Sequence, residues 1–289
     1  MAHLLKYDSI HGILADEVSF DNHHLIINGV KIKYTQIANP ADIYWDNIDV
    51  VLESSGKFKT YEKAYQHILG GAKRVILSAP PEDDNIKTIV LGVNEHILDG
   101  SELIISNASC TTNNAAPMLK IIHDLCDINQ AYITTVHSYT TDQSLHDEPH
   151  RDLRRARAAG QSIVPTSTGA AKALTKIFPE FENRLGGSGI RVPVANGSLT
   201  DITCYVNKPV AIEELNKKFY EASTLSLKGI LAYTKDPIVS VDIKGNTHSC
   251  LFDSELTSVL GQMVKVVGWY DNEIGYSSRL LDLIKYISD

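Results

Sequence analysis

The sequence has 289 residues, and its 27 Lys and Arg against 35 Asp and Glu give a formal net charge of −8. With 43% hydrophobic and 21% charged residues, the composition argues against a disordered or fibrous chain, and the length suits one large domain or two ordinary ones. The apolar runs are too short for a transmembrane helix, and the start is too polar for a secretory signal. The acidic balance argues against nucleic-acid binding. We therefore expect neither a membrane nor a nucleic acid as partner.

Cysteine usage indicates the redox setting. The chain has four cysteines, which are Cys110, Cys126, Cys204 and Cys250. None forms a CxxC pair, and their spacings match no zinc site. So few cysteines in a chain of this length do not make a disulfide scaffold. The sequence therefore predicts a cytoplasmic protein with free thiols and no metal site.

The first part of the chain alternates strand-like and helix-like segments. Asn28-Gly29 between two apolar runs favours a type I′ hairpin, and Gly70-Gly71 after an amphipathic stretch is a signal for a helix C-terminus. In chain order, the predicted elements are a hairpin at 25–32, a helix at 60–69, and strands at 74–77, 88–93 and 102–105. This alternation is typical of βαβ units and predicts a mostly parallel sheet.

The pattern changes after about residue 130. The polar stretch 138–162 has little apolar periodicity, and loops of this length are usually functional or disordered. The other predicted elements are strands at 131–136, 199–206, 230–233, 238–241 and 264–269, and helices at 211–222 and 276–287. The apolar positions of the last helix are Leu280, Leu281, Leu283, Ile284 and Ile287. This part of the sequence predicts an α+β region with a larger sheet.

The segment Ser-Asn-Ala-Ser-Cys-Thr-Thr-Asn at 106–113 joins a predicted strand to a helical pattern that includes Met118 and Leu125. Cys110 therefore falls at or near a helix N-terminus. There the macrodipole and free N–H groups are expected to lower the pKa of the thiol and to favour the nucleophilic thiolate. Taken alone, a buried Cys in a polar turn explains the pattern equally well.

His137 ends the predicted strand that follows this helix. A helix followed by a returning parallel strand brings the ends of both strands to one edge of the sheet. We therefore expect His137 near Cys110, where it can act as an acid and a base. A single His at a strand end is more often a surface residue, so the pair is stronger support than either residue alone.

Three further segments suit the binding of phosphate. Residues 166–171 precede a helical run, and hydroxyl and N–H groups at a helix N-terminus bind anions, although capping by Ser167 or Thr168 explains this pattern too. Arg191 lies between apolar neighbours in a predicted strand, where an Arg usually has an anionic partner. The basic run 151–157 is either a solvated helix face or a source of a further phosphate ligand.

Together these motifs resemble those of phosphorylating glyceraldehyde-3-phosphate dehydrogenase. Five segments occur in the family's order, namely Ser-Asn-Ala-Ser-Cys-Thr-Thr-Asn at 106–113, His-Ser-Tyr-Thr at 137–140, Asp-Leu-Arg-Arg-Ala-Arg-Ala-Ala at 152–159, Pro-Thr-Ser-Thr-Gly-Ala-Ala-Lys at 165–172 and Trp-Tyr-Asp-Asn-Glu at 269–273. The resemblance extends from Leu-Leu-Lys-Tyr-Asp-Ser at 4–9 to the C-terminal helix, which is essentially the whole chain. The octapeptide around Cys110 is its most specific part.

The resemblance implies a glycolytic oxidoreductase that converts D-glyceraldehyde 3-phosphate and inorganic phosphate to 1,3-bisphosphoglycerate through a Cys thioester. Cys110 matches the nucleophile, and His137 matches the base. The residues that match ligands of the two phosphates or lie near them are Ser109, Thr111, Thr140, Asp142, Arg155, Thr168, Gly169 and Arg191. The cofactor is NAD, with NADP left open, and the matching positions are Ser54, Ser55, Gly56, Ser78, Asn272 and Tyr276.

The resemblance also implies the fold, which is α/β with an N-terminally truncated Rossmann-type dinucleotide domain and an α+β catalytic domain with a large mixed sheet. The expected division is 1–109 for the dinucleotide domain and 110–272 for the catalytic domain, with a C-terminal helix at 273–289 that packs back on the first. The loop from Ser138 to about Pro165 is expected to reach a neighbouring subunit of a homotetramer.

One departure from the family concerns the cofactor. The sequence has no Gly-x-Gly-x-x-Gly turn and no strand before it, and this turn normally begins the helix that binds the pyrophosphate. We therefore expect a site for acyl transfer beside an impaired dinucleotide site. An internal Met taken as the start, a fragment and a genuine truncated product all account for this departure.

Two alternative functions remain open at this point. Erythrose-4-phosphate dehydrogenase has the same Cys and His but tends to lose the turn Thr-Gly-Ala-Ala, which is present here at 168–171. A non-catalytic truncated binding protein would fit the missing glycine motif. The intact set of Cys110, His137, Thr140 and Arg191 argues against that alternative, so the sequence favours the glyceraldehyde-3-phosphate enzyme.

Overall fold

The computed structural model describes residues 1–288. The strands are β1 (Tyr7–Asp8), β2 (Gly12–Ile13), β3 (Val18–Phe20), β4 (His24–Ile27), β5 (Val30–Lys33), β6 (Val50–Glu53), β7 (Arg74–Leu77), β8 (Lys87–Thr88), β9 (Ile104–Ser106), β10 (Ile128–Ser138), β11 (Val164–Thr166), β12 (Leu185–Val192), β13 (Ser198–Val206), β14 (Leu231–Thr234), β15 (Cys250–Leu260) and β16 (Met263–Tyr270). The α-helices are α1 (Ala2–Lys6), α2 (Tyr61–Leu69), α3 (Cys110–Cys126), α4 (Ala170–Ile177), α5 (Ile212–Thr224) and α6 (Ile274–Ser288).

Strands β3, β4 and β5 form an antiparallel meander near the start of the chain. Asn28 and Gly29 connect β4 to β5 with φ values of +48° and +80°. A type I′ turn requires a positive φ at both central residues, and Asn and Gly reach that region at the lowest cost. The predicted hairpin is therefore confirmed by the structure.

A parallel sheet with the strand order β6-β7-β9-β8 follows. Side chains alternate between its two faces. Val75 packs with Ala64 of α2 in one apolar cluster, whereas Ile76 and Ile105 pack with Leu283 of α6 in another. Helices thus cover both faces, as parallel sheets require. The carboxyl ends of the strands are left at one edge, where the loops after β6 and β7 lie.

The second sheet has seven strands in the order β11-β12-β10-β13-β16-β15-β14. It is mixed, because β10 pairs in parallel with β12 and antiparallel with β13. Met118 and Leu119 of α3 are buried in one apolar cluster with Ile133 and Ile202 from the sheet. Helix α3 therefore runs from the end of β9 in the parallel sheet to the face of this larger sheet, and it connects the two.

Two predicted strands differ from the structure. The prediction at 238–241 is wrong, because residues Ser240–Ile243 form a 3₁₀ turn that the Asp242 carboxylate holds by accepting the Val239 N–H at 2.8 Å. In the run 88–93 only Thr88 belongs to a strand. The Asn94 side chain accepts from Val90 N–H at 2.8 Å and donates to the Thr88 carbonyl at 2.9 Å. These backbone groups therefore bond a side chain and not a neighbouring strand.

The last helix lies where it is predicted, but one of its predicted apolar positions is exposed. Leu280 and Leu283 are buried, but Leu281 is 58% exposed and points away from the sheet. Residue Asp289, the last of the predicted range 273–289, lies outside the described residues. Strand β15 was not among the predicted elements.

Candidate active site

Cys110 is the first residue of α3, directly after the turn that follows β9. The Ser109 hydroxyl caps the helix by accepting a hydrogen bond from Thr112 N–H at 3.2 Å. Ala108 in this turn has a φ of +56°, a left-handed conformation that is costly for a residue with a Cβ. The Ser106 hydroxyl offsets part of this cost by accepting from Ala108 N–H at 3.0 Å. The turn therefore holds Cys110 at the helix N-terminus.

His137 lies near the end of β10, and its Nε2 is 3.5 Å from the Sγ of Cys110. Its side chain is 5% exposed, and the ring packs edge-on against Tyr270 with a centroid distance of 5.9 Å. Cys110 is partly exposed. A buried imidazole within hydrogen-bond reach of an accessible thiol is the arrangement of a base and a nucleophile.

The protonation state of this pair differs from the prediction. Removal from water raises the pKa of the Cys110 thiol, and the Thr111 N–H and the Arg191 guanidinium oppose this rise without overcoming it. Burial and the charge of Arg191 lower the pKa of His137 to about 4. The predicted lowering of the thiol pKa is therefore wrong, because the cost of burying a thiolate exceeds its stabilisation by the helix N-terminus. Burial thus disfavours the charged form of each side chain.

Arg191 is the register partner of His137, because β10 and β12 run parallel with these two residues paired. Its Nη1 lies 2.7 Å from the Nδ1 of His137 and 2.8 Å from the carbonyl oxygen of Ser138. Within residues 1–288 no carboxylate forms an ion pair with it. The anionic partner that the sequence predicts for Arg191 is therefore not supplied by the described part of the chain, which leaves the guanidinium available to an anion.

Arg155 lies in the long loop after β10 and is already paired. Its Nη1 donates to the Asp142 carboxylate, and its Nε lies 3.3 Å from that of Asp152. Its Nη2 donates to the Ser167 carbonyl at 3.3 Å, just before α4. Two of the four arginines of the basic run, Arg155 and Arg157, are thus paired with acidic side chains of the same loop, and Arg155 is directed toward the start of α4.

The other predicted phosphate residues lie on two elements. Thr140 follows β10 by two residues and is half-buried. Thr168 and Gly169 lie at the start of α4, where the Thr168 hydroxyl accepts from Ala170 N–H at 3.2 Å. Helix α4 packs against α3.

Thr111 is placed differently from the other candidates. Its side chain is buried, and its hydroxyl lies 2.9 Å from that of Tyr270. The Tyr270 hydroxyl also lies 2.9 Å from that of Thr135 in β10. The Thr111 side chain therefore takes part in a buried hydroxyl cluster, and both its backbone N–H and its hydroxyl face the Cys110 sulfur.

The predicted cofactor residues of the parallel sheet lie at its carboxyl edge. Ser54, Ser55 and Gly56 follow β6, and Ser78 follows β7. Gly56 has a φ of +69°, and a Cβ added there would meet no atom within 4 Å. The turn is therefore open on the side where a dinucleotide binds in such folds.

A buried network of hydrogen bonds contacts the turn at Ser54 to Gly56 from the interior of the sheet. Trp45 Nε1–H donates to His67 Nδ1 at 3.2 Å, which leaves His67 Nε2–H to donate to the Glu53 carboxylate at 3.1 Å. The other oxygen of Glu53 accepts from the Ser55 N–H at 2.8 Å and from the Ser55 hydroxyl. His67 and Glu53 are both buried. The network thus joins the interior of the sheet to the predicted cofactor turn.

Asn272 and Tyr276 approach the site from the end of β16 and from α6. The side-chain oxygen of Asn272 accepts from the Ser138 and Ser198 hydroxyls at 2.8 and 2.9 Å and from Gly197 N–H at 3.2 Å. This fixes the orientation of the amide and leaves its nitrogen as a donor toward the site. The Tyr276 hydroxyl donates to the Ala108 carbonyl at 3.3 Å, so α6 is tied to the turn that precedes Cys110.

Several residues of this region were missed by the sequence analysis. Tyr270, Ser138 and Ser198 contact the candidate residues, and Glu53 and His67 form the network under the turn. Tyr270 falls within the quoted segment 269–273, but nothing in its sequence context singles out its hydroxyl. The partners of these groups are distant in the chain, so only the fold reveals them.

Comparison with known proteins identifies the family. Residues 109–272 match the family described as glyceraldehyde 3-phosphate dehydrogenase, C-terminal domain, and residues 1–61 match the one described as glyceraldehyde 3-phosphate dehydrogenase, NAD binding domain. The chain belongs to the glyceraldehyde-3-phosphate dehydrogenase family. The predicted family, the α/β fold class and NAD as the cofactor are thereby confirmed, and membership makes the chain an NAD-dependent oxidoreductase.

Individual family members are similar over the whole chain. Glyceraldehyde-3-phosphate dehydrogenase 1 of Streptomyces avermitilis is 49% identical over 292 aligned positions, which cover 100% of this chain and 87% of the relative. The Mycobacterium avium enzyme is 50% identical over 99% of this chain and 86% of its own length. Glyceraldehyde-3-phosphate dehydrogenase 1 of Bacillus subtilis is 48% identical over 100% of this chain and 87% of its own length.

Two further features of the described residues concern membranes and metal ions. None of the helices in residues 1–288 is both long and apolar enough to cross a membrane. In the same residues, no group of three or more His, Cys, Asp or Glu side chains is placed to hold a metal ion.

Proposed function

We propose that this family member catalyses the glycolytic, phosphorylating oxidation of D-glyceraldehyde 3-phosphate to 1,3-bisphosphoglycerate. The observation that carries the proposal is the 3.5 Å distance between the Sγ of Cys110 and the Nε2 of His137. A thiol beside a base can add to an aldehyde and retain the carbon as a thioester after oxidation. The names of the relatives at about half identity supply the substrate.

The first step forms a bond between the Sγ of Cys110 and the aldehyde carbon. His137 Nε2 takes the thiol proton and returns it to the aldehyde oxygen, which gives a thiohemiacetal. As this oxygen becomes negative, it faces the start of α3, where the Cys110 backbone N–H and the helix dipole stabilise it.

Oxidation leaves the acyl group on Cys110. His137 takes back the hydroxyl proton as the carbon loses a hydride, which NAD would accept when held by the residues at the carboxyl edge of the parallel sheet. An oxygen of inorganic phosphate then attacks the thioester carbon, and the C–S bond breaks to release the acyl phosphate. The Cys110 thiolate that leaves recovers its proton from His137, so the chain returns to its starting state.

Two groups of residues are proposed to bind the two phosphates. Thr140 and Arg191 would take the phosphate of the substrate, because Arg191 has no carboxylate partner in the described chain. The residues proposed to take inorganic phosphate are Ser109, Thr168, Gly169 and Arg155, with Asp142 orienting Arg155. An Arg and a helix N-terminus suit a phosphate dianion at each position.

The residues at the carboxyl edge of the parallel sheet fit NAD. The fixed amide of Asn272 offers a nitrogen donor, the Ser54-to-Gly56 turn is open, and Tyr276 borders the same space from α6. We expect these residues and Ser78 to hold the dinucleotide against Cys110. Whether NADP also serves, and whether cofactor binding is impaired, are settled by titrating the chain with each nucleotide.

We also propose the domain division and the assembly that the family implies. Leu280 and Leu283 of α6 pack against the parallel sheet, which supports assigning the C-terminal helix to the domain 1–109 rather than to 110–272. In the loop from 138 to about 165, Leu145 and Leu153 are 80% and 82% exposed. A homotetramer would bury such side chains against a neighbouring subunit. A cytoplasmic location agrees with the four free thiols.

The experiment that tests this function is NADH formation from D-glyceraldehyde 3-phosphate and NAD, with and without inorganic phosphate. We expect phosphate-dependent NADH formation that disappears in Cys110→Ser and persists in Cys250→Ala, a buried thiol outside the site. Erythrose 4-phosphate serves as the competing substrate. Equal rates in Cys110→Ser and the native chain would contradict the proposed nucleophile, and a preference for erythrose 4-phosphate would contradict the proposed substrate.

A further inference from the structure

A cavity of about 270 Å³ lies between the carboxyl edge of the parallel sheet and helix α4. Three lysines line it, of which Lys59 comes from the loop before α2, and Lys172 and Lys176 come from α4. Thr88 of β8 and Gly169, the residue before α4, line it as well. Cationic side chains from two separate parts of the fold thus surround one concave space.

The lysines of this cavity are available to an anion at low cost. The Nζ of Lys59 lies 3.0 Å from the carboxylate of Glu82, and the Nζ of Lys176 lies 3.0 Å from that of Asp84. Both carboxylates are exposed, and ion pairs that water reaches contribute little to stability. In the described part of the chain, no carboxylate lies within ion-pair distance of Lys172, which is itself exposed.

Thr88 gives a second and independent indication of a ligand. Its side chain is 5% exposed, and its hydroxyl has no hydrogen-bond partner within residues 1–288. Buried hydroxyls are normally paired, because an unpaired one loses its bond to water without a replacement. An oxyanion in the cavity would accept this hydrogen bond. At the start of α4, a Cβ added to Gly169 would meet no atom within 4 Å, so this side of the cavity is open.

The lining favours one class of anion. Lysine amines and the N–H groups at a helix N-terminus bind phosphoryl oxygens. A single phosphate would leave much of this volume to water, whereas two linked phosphoryl groups can reach amines on both sides of the cavity. The side chains that line it, all among the described residues, include no aromatic ring, so a nucleotide base would find no surface for stacking. Inorganic diphosphate therefore fits better than phosphate or a nucleotide.

We propose that this cavity binds inorganic diphosphate and that the bound anion excludes inorganic phosphate from the start of α4. Gly169 borders the cavity and is also among the residues proposed to take inorganic phosphate, so the two anions meet there. This competition rests on the proposed function, whereas the binding of diphosphate does not depend on the reaction. Since inorganic phosphate releases the acyl group from Cys110, the reaction slows as diphosphate accumulates.

Calorimetric titration of the full chain with sodium diphosphate tests the binding, in the absence of NAD and substrate and in buffer without divalent cations. We expect saturable binding to the native chain and about 10-fold weaker binding to Lys172→Met and to Thr88→Val, because each variant lacks a group that bonds a charged oxygen. Lys228→Met is the matched control. Lys228 is an exposed lysine in a turn outside the cavity, so this variant should bind like the native chain.

Steady-state kinetics tests the competition. In the native chain, diphosphate should raise the KM for inorganic phosphate without changing kcat. About ten times more diphosphate should be needed for the same effect in Lys172→Met and Thr88→Val. Without diphosphate, both variants should have the native kcat and KM, because neither residue belongs to the proposed catalytic or phosphate-binding groups. If Thr88→Val fails to fold, Lys172→Met and its control Lys228→Met decide.

Several outcomes would overturn the proposal. They are no binding of diphosphate to the native chain, native affinity in either cavity variant, an equal loss of affinity in Lys228→Met, and inhibition that excess inorganic phosphate does not relieve. The proposed function is tested separately by NADH formation. A chain that binds diphosphate as expected but forms no NADH would contradict the function alone, and one that forms NADH but binds no diphosphate would contradict this inference alone.

Discussion

The hydroxyl of Tyr270 lies 2.9 Å from that of Thr111, inside the molecule and directly behind the nucleophile. Both side chains are buried, and Thr111 follows Cys110 in the chain. This contact joins the start of α3 to the end of β16, and the Thr135 hydroxyl extends it to β10. Cys110 and His137 are therefore positioned by one hydroxyl cluster that touches all three elements.

Tyr270→Phe is expected to destabilise the chain by about 1–3 kcal/mol, because it removes the hydrogen-bond partner that the buried hydroxyls of Thr111 and Thr135 share. Urea unfolding measures the change. Tyr205→Phe is the matched control, since the Tyr205 hydroxyl bonds Gln262 on the surface and its loss should change stability by less than about 0.5 kcal/mol. Equal losses in the two variants would contradict a special role for the buried cluster.

The lowered pKa of His137 predicts how stability depends on pH. The unfolded ring takes up a proton near pH 6.5, whereas the folded ring does so only near pH 4. Between these values the unfolded chain binds more protons, so stability is lost as the pH falls from about 6.5 to 4. The contribution of this residue is about 3 kcal/mol by linkage.

Urea unfolding at several pH values in this range checks the prediction. His137→Asn lacks the titrating ring, so the native chain should lose more stability than the variant between pH 6.5 and 4. Other histidines and carboxylates titrate in both proteins and cancel in the difference. Parallel curves for the two proteins would show that His137 ionises normally in the folded state.

The assignment of two phosphate subsites predicts a kinetic split. Arg155→Gln should raise the KM for inorganic phosphate about 10-fold or more, since hydrogen bonds to charged groups contribute about 1.5–3 kcal/mol. Its KM for glyceraldehyde 3-phosphate should change little. Thr140→Val should produce the opposite pattern. Steady-state kinetics with each phosphate varied in turn separates them, and a rise of both KM values in both variants would contradict two distinct subsites.

The network of Trp45, His67 and Glu53 predicts an effect on the cofactor turn. Glu53→Gln leaves one acceptor oxygen in place of two, so the amide nitrogen meets either His67 Nε2–H or the Ser55 N–H, and the support under Ser55 is weakened. We expect NAD to bind about 10-fold more weakly, a loss near 1.4 kcal/mol. Fluorescence titration with NAD measures this.

The control for this prediction is Glu82→Gln, which alters an exposed carboxylate paired with Lys59 and should leave NAD binding unchanged. The rate of Cys110 alkylation by iodoacetamide should be the same in both variants, because the network does not touch the thiol. Unchanged NAD binding in a less stable Glu53→Gln chain would mean that the network supports the fold and not the cofactor.

Local signals were read correctly from the sequence. Asn28-Gly29 specifies its hairpin through two positive φ values, and Thr60 caps α2 by accepting from Lys63 N–H. Each depends on neighbours within a few residues.

Strand β15 was missed because a buried polar residue interrupts its pattern. Asp253 is buried there only because Trp269 Nε1–H, on the adjacent strand, donates to it at 3.0 Å.

The candidate site was predicted by a partly wrong route. The sequence argument expected β9 and β10 at one edge of a single sheet, but they belong to different sheets. Cys110 and His137 meet because α3 crosses from one sheet to the other and begins beside the end of β10. The pKa of the thiol was also wrongly predicted, since the degree of burial at a helix N-terminus depends on the second sheet and is not encoded in the turn itself.

The packing of α6 on the parallel sheet has a consequence for biosynthesis. Ile76 and Ile105 of this sheet are covered by side chains that the ribosome adds more than a hundred residues later. Until residues 274–288 emerge, one face of the parallel sheet remains exposed to solvent and to chaperones. The large mixed sheet, whose strands lie between the parallel sheet and α6 in the sequence, can already assemble. The parallel sheet is thus synthesised before the mixed sheet but is covered last. A ribosome stalled before α6 would hold an intermediate that is prone to aggregation.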